Sequence, residues 1–301
     1  MRIATIQIDQ IETAALQLGG DFVPMAAVNR TLGTDWPSDT LALIAGGHLA
    51  ALRESQPDWS PETGQALRKA AVAAAEVRFA PLYRHPPKIW GIGLNYAAHA
   101  ADLAETAPTG IPGSFMKPDT TVIGWGDVIH IPARSRRTTA EAELGVVIGT
   151  ACRNVAMEDW LDVVAGFTPV IDMTAEDILK LNPRYLTVAK SFDTFFSFGP
   201  VLLTPDEIPD VAQLQVTTIH NGRAHAENVV ANMTFSPAFL VSFLSEVMTL
   251  RPGDVISTGT PGAAVIADGD AVACRITGFP PLQNPVVDRK ARSADSNRKE
   301  T

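Results

Sequence analysis

The sequence predicts an α+β fold in which β-strands predominate. From residue 88 onward, short apolar runs are separated by turns rich in Gly, Pro and Asp, a pattern typical of strands. The dipeptide Asn221-Gly222 between two such runs indicates a β-hairpin, because both residues tolerate the positive φ angles of its turn. One helix is clearly marked by Ser236 as its N-cap and Pro237 as its first residue, followed by apolar residues at helical spacing.

The first 80 residues differ in character and are predicted to form a small amino-terminal domain without visible chemistry. Apolar and polar residues alternate over residues 3–8, which predicts a strand. Residues 40–53 and 61–77 are rich in Ala and Leu at helical spacing, which predicts helices. The prolines within residues 81–87 interrupt regular structure and indicate a linker.

Residues 81–287 are predicted to form one β-rich catalytic domain. A second, shorter helix is predicted over residues 157–164, where apolar side chains recur at helical spacing. The polar sequence of residues 288–301 predicts a disordered tail.

Composition and charge narrow the class of protein. Of 301 residues, 46% are hydrophobic and 19% are charged, as in a globular protein with a substantial core. A net charge of −9 and a pI near 5.1 argue against a nucleic-acid partner, which needs a basic surface. Neither a membrane-spanning apolar run nor a signal-peptide segment is found, so no membrane association and a cytoplasmic location are predicted. Cys152 and Cys274 form no disulfide framework or metal motif.

The sequence EAELGVVIG, residues 141–149, carries the strongest chemical signal. On a strand, Glu141 and Glu143 point to the same face, about 6.6–6.8 Å apart. Two carboxylates on one face of an apolar strand repel each other and are costly to desolvate, and a divalent cation removes that conflict. Mg²⁺ and Mn²⁺ prefer such oxygen ligands. The alternative is a solvated strand face with two surface glutamates.

Four further segments accompany this motif along the chain. They are GIGLNYAAHAAD (residues 91–102), IDMTAED (171–177), AKSFDTFFSFGP (189–200) and LRPGDVISTGTP (250–261). In this order and spacing the segments resemble the fumarylacetoacetate hydrolase family, over roughly residues 88–285. The resemblance implies a mixed β-roll catalytic domain.

The resemblance also implies a metal site with Mg²⁺ or Mn²⁺. Asp172 becomes the third ligand beside Glu141 and Glu143, although by itself it would be a turn or cap residue at the end of an apolar run. Three carboxylates suit an octahedral ion that retains waters and leaves positions for substrate oxygens.

Two lysines are implied near the metal. Lys190 could extend to the surface, as lysines among apolar residues often do, but family members place it in the active site, where a fixed positive charge stabilises a developing oxyanion. Asp193 is expected to be its structural partner. Lys117, in the sequence FMKP, matches another family position near the site and is predicted to bind substrate.

His99 and Asp102 are predicted to activate water. Their spacing of three residues puts them on one helical face, where the carboxylate can orient the imidazole. Relatives often carry Glu in place of Asp102, so the shorter side chain is a departure that could shift the chemistry away from hydrolysis. An ordinary surface helix is the alternative.

The turn that contains Gly259 and Thr260 presents backbone N–H groups and hydroxyls after a predicted strand. It could be a purely structural turn. In the family the corresponding loop contacts the substrate, so both residues are predicted to bind it.

Three departures from the family pattern concern specificity. Glu176 stands where relatives commonly have arginine, and Leu179 and Ala226 stand where they have glutamine. We expect Glu176 to repel a second substrate carboxylate and the pocket to prefer neutral-tailed substrates.

The predicted function is a metal-dependent hydrolase that cleaves a C–C bond of a 1,3-dicarbonyl or acylpyruvate through a metal-bound enolate. One alternative is a decarboxylase or keto–enol tautomerase of an oxaloacetate-like 2-oxo acid, and another is an inactive binding protein on the same fold. By resemblance, the partners are a small ketonic substrate and a second copy of the chain in a homodimer.

Overall fold

The computed structural model describes residues 1–97 and 108–290. The strands of these residues, numbered in chain order, are β1 Arg2–Ile8, β2 Ile11–Leu18, β3 Asp21–Pro24, β4 Ile89–Gly93, β5 Gly113–Lys117, β6 Val122–Ile123, β7 Ile129–Ile131, β8 Thr138–Ile148, β9 Val164–Ala175, β10 Phe196–Phe198, β11 Val201–Leu203, β12 Gln215–His220, β13 Arg223–Val229, β14 Val255–Ser257, β15 Ala263–Ile266, β16 Ala271–Ile276 and β17 Leu282–Asp288.

The helices of the same residues are fewer than the strands. The α-helices are α1 Met25–Leu32, α2 Thr40–Ala45, α3 His48–Ser55, α4 Pro61–Lys69, α5 Glu176–Leu181, α6 Leu186–Lys190 and α7 Pro237–Val247. Short 3-10 helices are Gln56–Asp58, Ala74–Glu76, Asp119–Thr121, Met157–Val163, Pro183–Tyr185, Pro205–Glu207, Val211–Gln213 and Val230–Asn232. None of these helices has both the length and the apolar composition needed to cross a membrane.

Two sheets organise the described part of the chain. The larger is twelve-stranded, with the order β3-β2-β1-β11-β9-β8-β14-β4-β5; β10 and β15 pair with β9 and β8, and β6 pairs with β10. The smaller sheet has the order β13-β12-β16-β17-β7 and packs against β8 and β9. The long antiparallel pair of β8 and β9 therefore lies at the centre of the molecule.

The two faces of β8 differ in what covers them. Ala142, Leu144 and Val146 face a core shared with the smaller sheet, which contributes buried residues such as Val216. On the opposite face, Val147 belongs to a second core built largely from the first 80 residues. The two glutamates of β8 lie on the same face as Val147 but nearer the start of the strand, in a part of the face that this second core does not cover.

The first 80 residues are joined to the rest by backbone and by core. β1 pairs antiparallel with β11 in the register Ile3↔Leu202, so β1, β2 and β3 extend the larger sheet. Leu16 and Leu43 share a core with Val147 and Phe196. A domain boundary at residue 80 stays a prediction.

Several predicted elements are confirmed. The strand predicted over residues 3–8 lies within β1, and the hairpin of β12 and β13 turns at Asn221 and Gly222, whose φ angles are +50° and +76°. The helix α7 begins as expected, because the Ser236 hydroxyl accepts a hydrogen bond from the Phe239 N–H and Pro237 occupies its first turn.

Other boundaries were predicted wrongly. The helix expected over residues 61–77 ends at Lys69, because Val72 instead exchanges both backbone hydrogen bonds with Phe22, at 3.0 and 2.8 Å. Residues 157–163 form a 3-10 helix rather than an α-helix. Asp288, which was expected to open a disordered tail, pairs with Ile131 in the smaller sheet; residues 291–301 lie outside the described part.

Candidate active site

Three carboxylates meet on the central strand pair. Glu141 and Glu143 share one face of β8, and Asp172 lies directly opposite Glu141 on β9. One carboxylate oxygen from each of the three residues lies within 4.8 Å of the others. Asp172 is an interior residue of β9 and not the strand end that its sequence neighbours suggested, because β9 continues to Ala175.

Glu143 is the more deeply buried of the two glutamates. Its residue exposure is 2%, and its Oε2 accepts hydrogen bonds from the Ser257 hydroxyl and, at 2.8 Å, from the Gly259 N–H. Burial, followed by the negative charges of Asp172 and Glu141, raises the pKa of Glu143 to about 8. An added cation would relieve this repulsion.

Two threonine hydroxyls on the same face of the sheet form hydrogen bonds with Glu141. Its Oε1 accepts hydrogen bonds from the hydroxyls of Thr139 at 3.2 Å and Thr174 at 2.7 Å. These residues precede Glu141 on β8 and follow Asp172 on β9 by one alternation, so the strand period alone could have identified them. Glu141 Oε2 is thereby directed toward the centre of the cluster.

Lys190 lies inside the cluster and is buried, as the family position implied. Its Nζ is 2.6 Å from Asp172 Oδ2 and 3.1 Å from Glu141 Oε2, and it stands 4.5 Å from the centre of the Phe115 ring. Burial alone would lower the pKa of Lys190, but the charges of the three carboxylates outweigh it and hold that pKa above its usual value. The proposed pairing with Asp193 is wrong, because Asp193 is exposed and is not an ion-pair partner of Lys190 among the described residues.

Lys117 approaches Asp172 from the opposite side. Its side chain has 0% exposure, and its Nζ lies 2.6 Å from Asp172 Oδ1. Burial lowers the pKa of Lys117 to about 8, against the stabilising effect of the Asp172 charge. The predicted substrate contact of Lys117 stays a prediction, and the contacts that the structure describes are with the protein.

The turn after β14 supports Glu143 from its own backbone. Gly259 has φ +98°, and a Cβ on it would come 2.7 Å from the Cβ of Asn95, so glycine alone fits without displacement. Asn95 in turn donates to the Thr258 carbonyl at 2.7 Å. The Thr260 hydroxyl, 3.1 Å from the Gly262 carbonyl, lies in the same turn. The sequence predicts this turn, but no local pattern identifies Ser257 as a donor to Glu143 or Asn95 as a support of the turn.

A protein-family model described as fumarylacetoacetate (FAA) hydrolase C-terminal matches residues 88–287 of the chain. The chain belongs to this family. An uncharacterised protein of Archaeoglobus fulgidus is 43% identical over 210 residues, which cover 69% of this chain and 82% of that protein.

Solved structures of family enzymes share the architecture. The maleylpyruvate hydrolase of Sphingobium sp. SYK-6, in complex with manganese(II) and pyruvate, matches with a TM-score of 0.75 and 28% identity, covering 96% of this chain and 99% of that chain. A 5-carboxymethyl-2-hydroxymuconate delta-isomerase of Mycobacterium smegmatis matches with a TM-score of 0.72 and 28% identity over the same shares. The predicted β-rich α+β fold of the fumarylacetoacetate hydrolase type is thereby confirmed.

The acidic cluster fits a divalent metal ion. It offers only carboxylate oxygens, the donors preferred by Mg²⁺ and Mn²⁺, from side chains that are largely removed from water. A manganese ion is present in the Sphingobium relative. The structure thus brings Glu141, Glu143, Asp172 and Lys190 together as the family pattern implied.

Glu176, one of the three departures from the family pattern, is not an unpaired charge in the structure. Glu176 is 7% exposed and forms ion pairs with Arg137 and Lys180. Although burial alone would raise its pKa, hydrogen bonds from these two cations lower the pKa of Glu176 below its usual value. The expectation that Glu176 repels a second carboxylate is therefore weakened, because two nearby positive charges compensate its charge.

The other two departures from the family pattern lie on α5 and β13. Leu179 is partly buried on α5, and Ala226 on β13 lies beside Gly262, where an added Cβ would come 2.5 Å from the Ala226 methyl. His99 and Asp102 lie outside the described residues.

Proposed function

We propose that the chain is a divalent-metal-dependent enzyme that cleaves a C–C bond in a 1,3-dicarbonyl or acylpyruvate-type substrate. The observation that carries the proposal is the buried group of Glu141, Glu143 and Asp172 with the Lys190 ammonium against two of its members. Mutually repelling carboxylates that are withdrawn from water are poor structural elements but good ligands for a cation.

Glu141, Glu143 and Asp172 would hold Mg²⁺ or Mn²⁺. When bound there, such an ion supplies Lewis-acid polarisation of ketonic oxygens. Lys190 keeps a positive charge beside the cluster, where it stabilises negative charge that develops on an enolate oxygen as the C–C bond breaks. Ser257 and Gly259 hold the Glu143 carboxylate in place by two hydrogen bonds.

The remaining roles follow the family pattern. His99, oriented by Asp102, would take a proton from the water that attacks the substrate carbonyl. The turn of Gly259 and Thr260 would contact the substrate. The maleylpyruvate hydrolase relative, which is named for a 2-oxo acid and holds pyruvate, supports this substrate class.

A second candidate reaction uses the same enolate without attack by water. In that case the enzyme decarboxylates or tautomerises an oxaloacetate-like 2-oxo acid. The similarity to a delta-isomerase at the same level of identity favours keeping this candidate. The two reactions differ in whether an oxygen atom from water enters a product.

In the decisive experiment, the protein is incubated with acylpyruvates or oxaloacetate in water enriched in oxygen-18. Reactions contain Mg²⁺, Mn²⁺ or a chelator, and mass spectrometry identifies the products. Hydrolysis predicts two carboxylic products, with heavy oxygen in the new carboxylate of the acid released from the acyl side, only with metal, and no reaction by Glu143→Gln. Turnover that a chelator leaves unchanged would contradict the proposal.

A further inference from the structure

Lys117 is a buried charge that needs an explanation of its own. Its side chain has 0% exposure and extends from β5 into the space behind Asp172. Burying an ammonium group is costly unless it is paired and hydrogen-bonded. A fully enclosed lysine beside a candidate metal ligand therefore indicates a defined role.

The ammonium of Lys117 has three partners in the protein. Nζ lies 2.6 Å from Asp172 Oδ1, donates to the Met173 carbonyl at 3.0 Å, and donates to the Lys190 carbonyl. The ion pair with Asp172 and the two hydrogen bonds to backbone carbonyls compensate the buried charge. The contacts join β5 to β9 and to the end of α6.

We propose that Lys117 is a positioning residue for the metal site. It pairs with Oδ1 of Asp172, so that Oδ2, which lies beside the Lys190 ammonium, would be the oxygen that Asp172 offers to a divalent cation. It also anchors the backbone of Lys190, whose own Nζ lies 2.6 Å from Asp172 Oδ2. The inference rests on the proposed function, because it requires a cation at this cluster.

Charge and position make opposite predictions for the removal of Lys117. If the ammonium acted only through its charge, its loss would strengthen cation binding, because a like charge would leave the site. If it holds Asp172 in place, its loss weakens cation binding, as replacement of groups that orient metal ligands commonly does, by about 10–100-fold. The sign of the change distinguishes the two accounts.

The test is titration of metal-free full-length protein with Mn²⁺ alone, followed by calorimetry near pH 7. Lys117→Met should weaken Mn²⁺ binding by at least about tenfold, with far-UV circular dichroism showing a folded protein. Lys69→Met, which removes an exposed charge of α4, is the matched control and should leave the affinity unchanged. Unchanged or tighter binding by Lys117→Met overturns the inference, whereas absence of Mn²⁺ binding by the wild type overturns the proposed metal site itself.

Two further measurements apply if Lys117→Met does not fold. Lys117→Arg keeps the charge but cannot place one nitrogen against all three acceptors, so it should also weaken binding, and an unchanged affinity would overturn the inference. A crystal structure of the wild type with Mn²⁺ should show one Asp172 oxygen on the ion and Lys117 on the other. Bidentate coordination by Asp172 would overturn it.

Discussion

Asp172 receives a lysine ammonium on each of its two carboxylate oxygens. Lys117 Nζ lies 2.6 Å from Oδ1, and Lys190 Nζ lies 2.6 Å from Oδ2. The Asp172 side chain has 0% exposure, and the lysine side chains have 0% and 6%. A single carboxylate therefore pairs with two buried cations in addition to its candidate role as a metal ligand.

This arrangement predicts that Asp172→Asn destabilises the metal-free protein more than Glu141→Gln does. Loss of the Asp172 charge leaves two buried ammonium groups undercompensated, which commonly costs about 3–5 kcal/mol for a broken buried pair. Glu141, whose side chain is 12% exposed, forms an ion pair with Lys190, which keeps Asp172 as a partner after the substitution, so its neutralisation should cost less. Urea unfolding of both variants in the presence of a chelator measures the difference, and equal losses would contradict it. Both variants should lose Mn²⁺ binding.

The residues that carry the chemistry could be predicted from the sequence, but several of the contacts that hold them in place could not. The strand period put Glu141 and Glu143 on one face, and the family pattern added Asp172 and Lys190, all of which the structure brings together. The paired register Glu141↔Asp172 could not be predicted, because it depends on how two distant strands align. The same is true of the contact between Lys117 and Asp172, which are separated by 55 positions in the chain.

Tertiary contacts also explain where local patterns misled. Glu176 pairs with Lys180, which lies one helical turn away on α5, and also with Arg137, which reaches it across the β8–β9 pair. The helix predicted to continue past Lys69 ends because Val72 pairs with Phe22 from a different segment. Arg137 and Phe22 are remote in sequence from the residues that they contact, so no local pattern contains these two pairings.

The raised pKa of Glu143 predicts a pH dependence of stability. Its pKa rises from an ordinary value of 4.5 to about 8, so between these values the folded metal-free protein holds a proton that the unfolded chain releases. Stability from this group is fully present below about pH 4.5 and is lost as the pH rises toward 8. Scanning calorimetry with a chelator should show Tm falling with pH more steeply in the wild type than in Glu143→Gln. An identical slope in both proteins would remove Glu143 as the cause.

The same protonation predicts how metal binding depends on pH. A cation needs the ionised carboxylate, so Mn²⁺ binding should release a proton below about pH 8 and should weaken as the pH falls. Calorimetric titration in two buffers of different ionisation enthalpy measures this proton. Binding without proton release near pH 6.5 would show that Glu143 is already ionised.

Gly259 is expected to tolerate no side chain. Gly259→Ala places a Cβ 2.7 Å from that of Asn95 at a φ of +98°, which should cost about 1–3 kcal/mol and displace the N–H that holds Glu143. Gly222→Ala is the matched control, because Gly222 also has a positive φ, +76°, but nothing lies within 4 Å of the added carbon. Unfolding free energy and Mn²⁺ affinity should both fall more in Gly259→Ala, and equal effects in the two variants would contradict the support of Glu143 by this turn.

Lys190→Met should separate catalysis from metal binding. The ammonium lies 2.6 and 3.1 Å from two carboxylates of the cluster, so its removal takes away a charge that would stabilise the enolate and should lower kcat by about 10²–10³. Mn²⁺ affinity should rise, because the substitution removes a positive charge from the cluster while Lys117 still holds Asp172. The two lysines thus predict opposite changes in affinity, with Lys69→Met as the control for both. If Lys190→Met retains full kcat on the substrate that the wild type turns over, the ammonium serves only to neutralise Asp172 and Glu141, and stabilisation of the enolate must come from the metal alone.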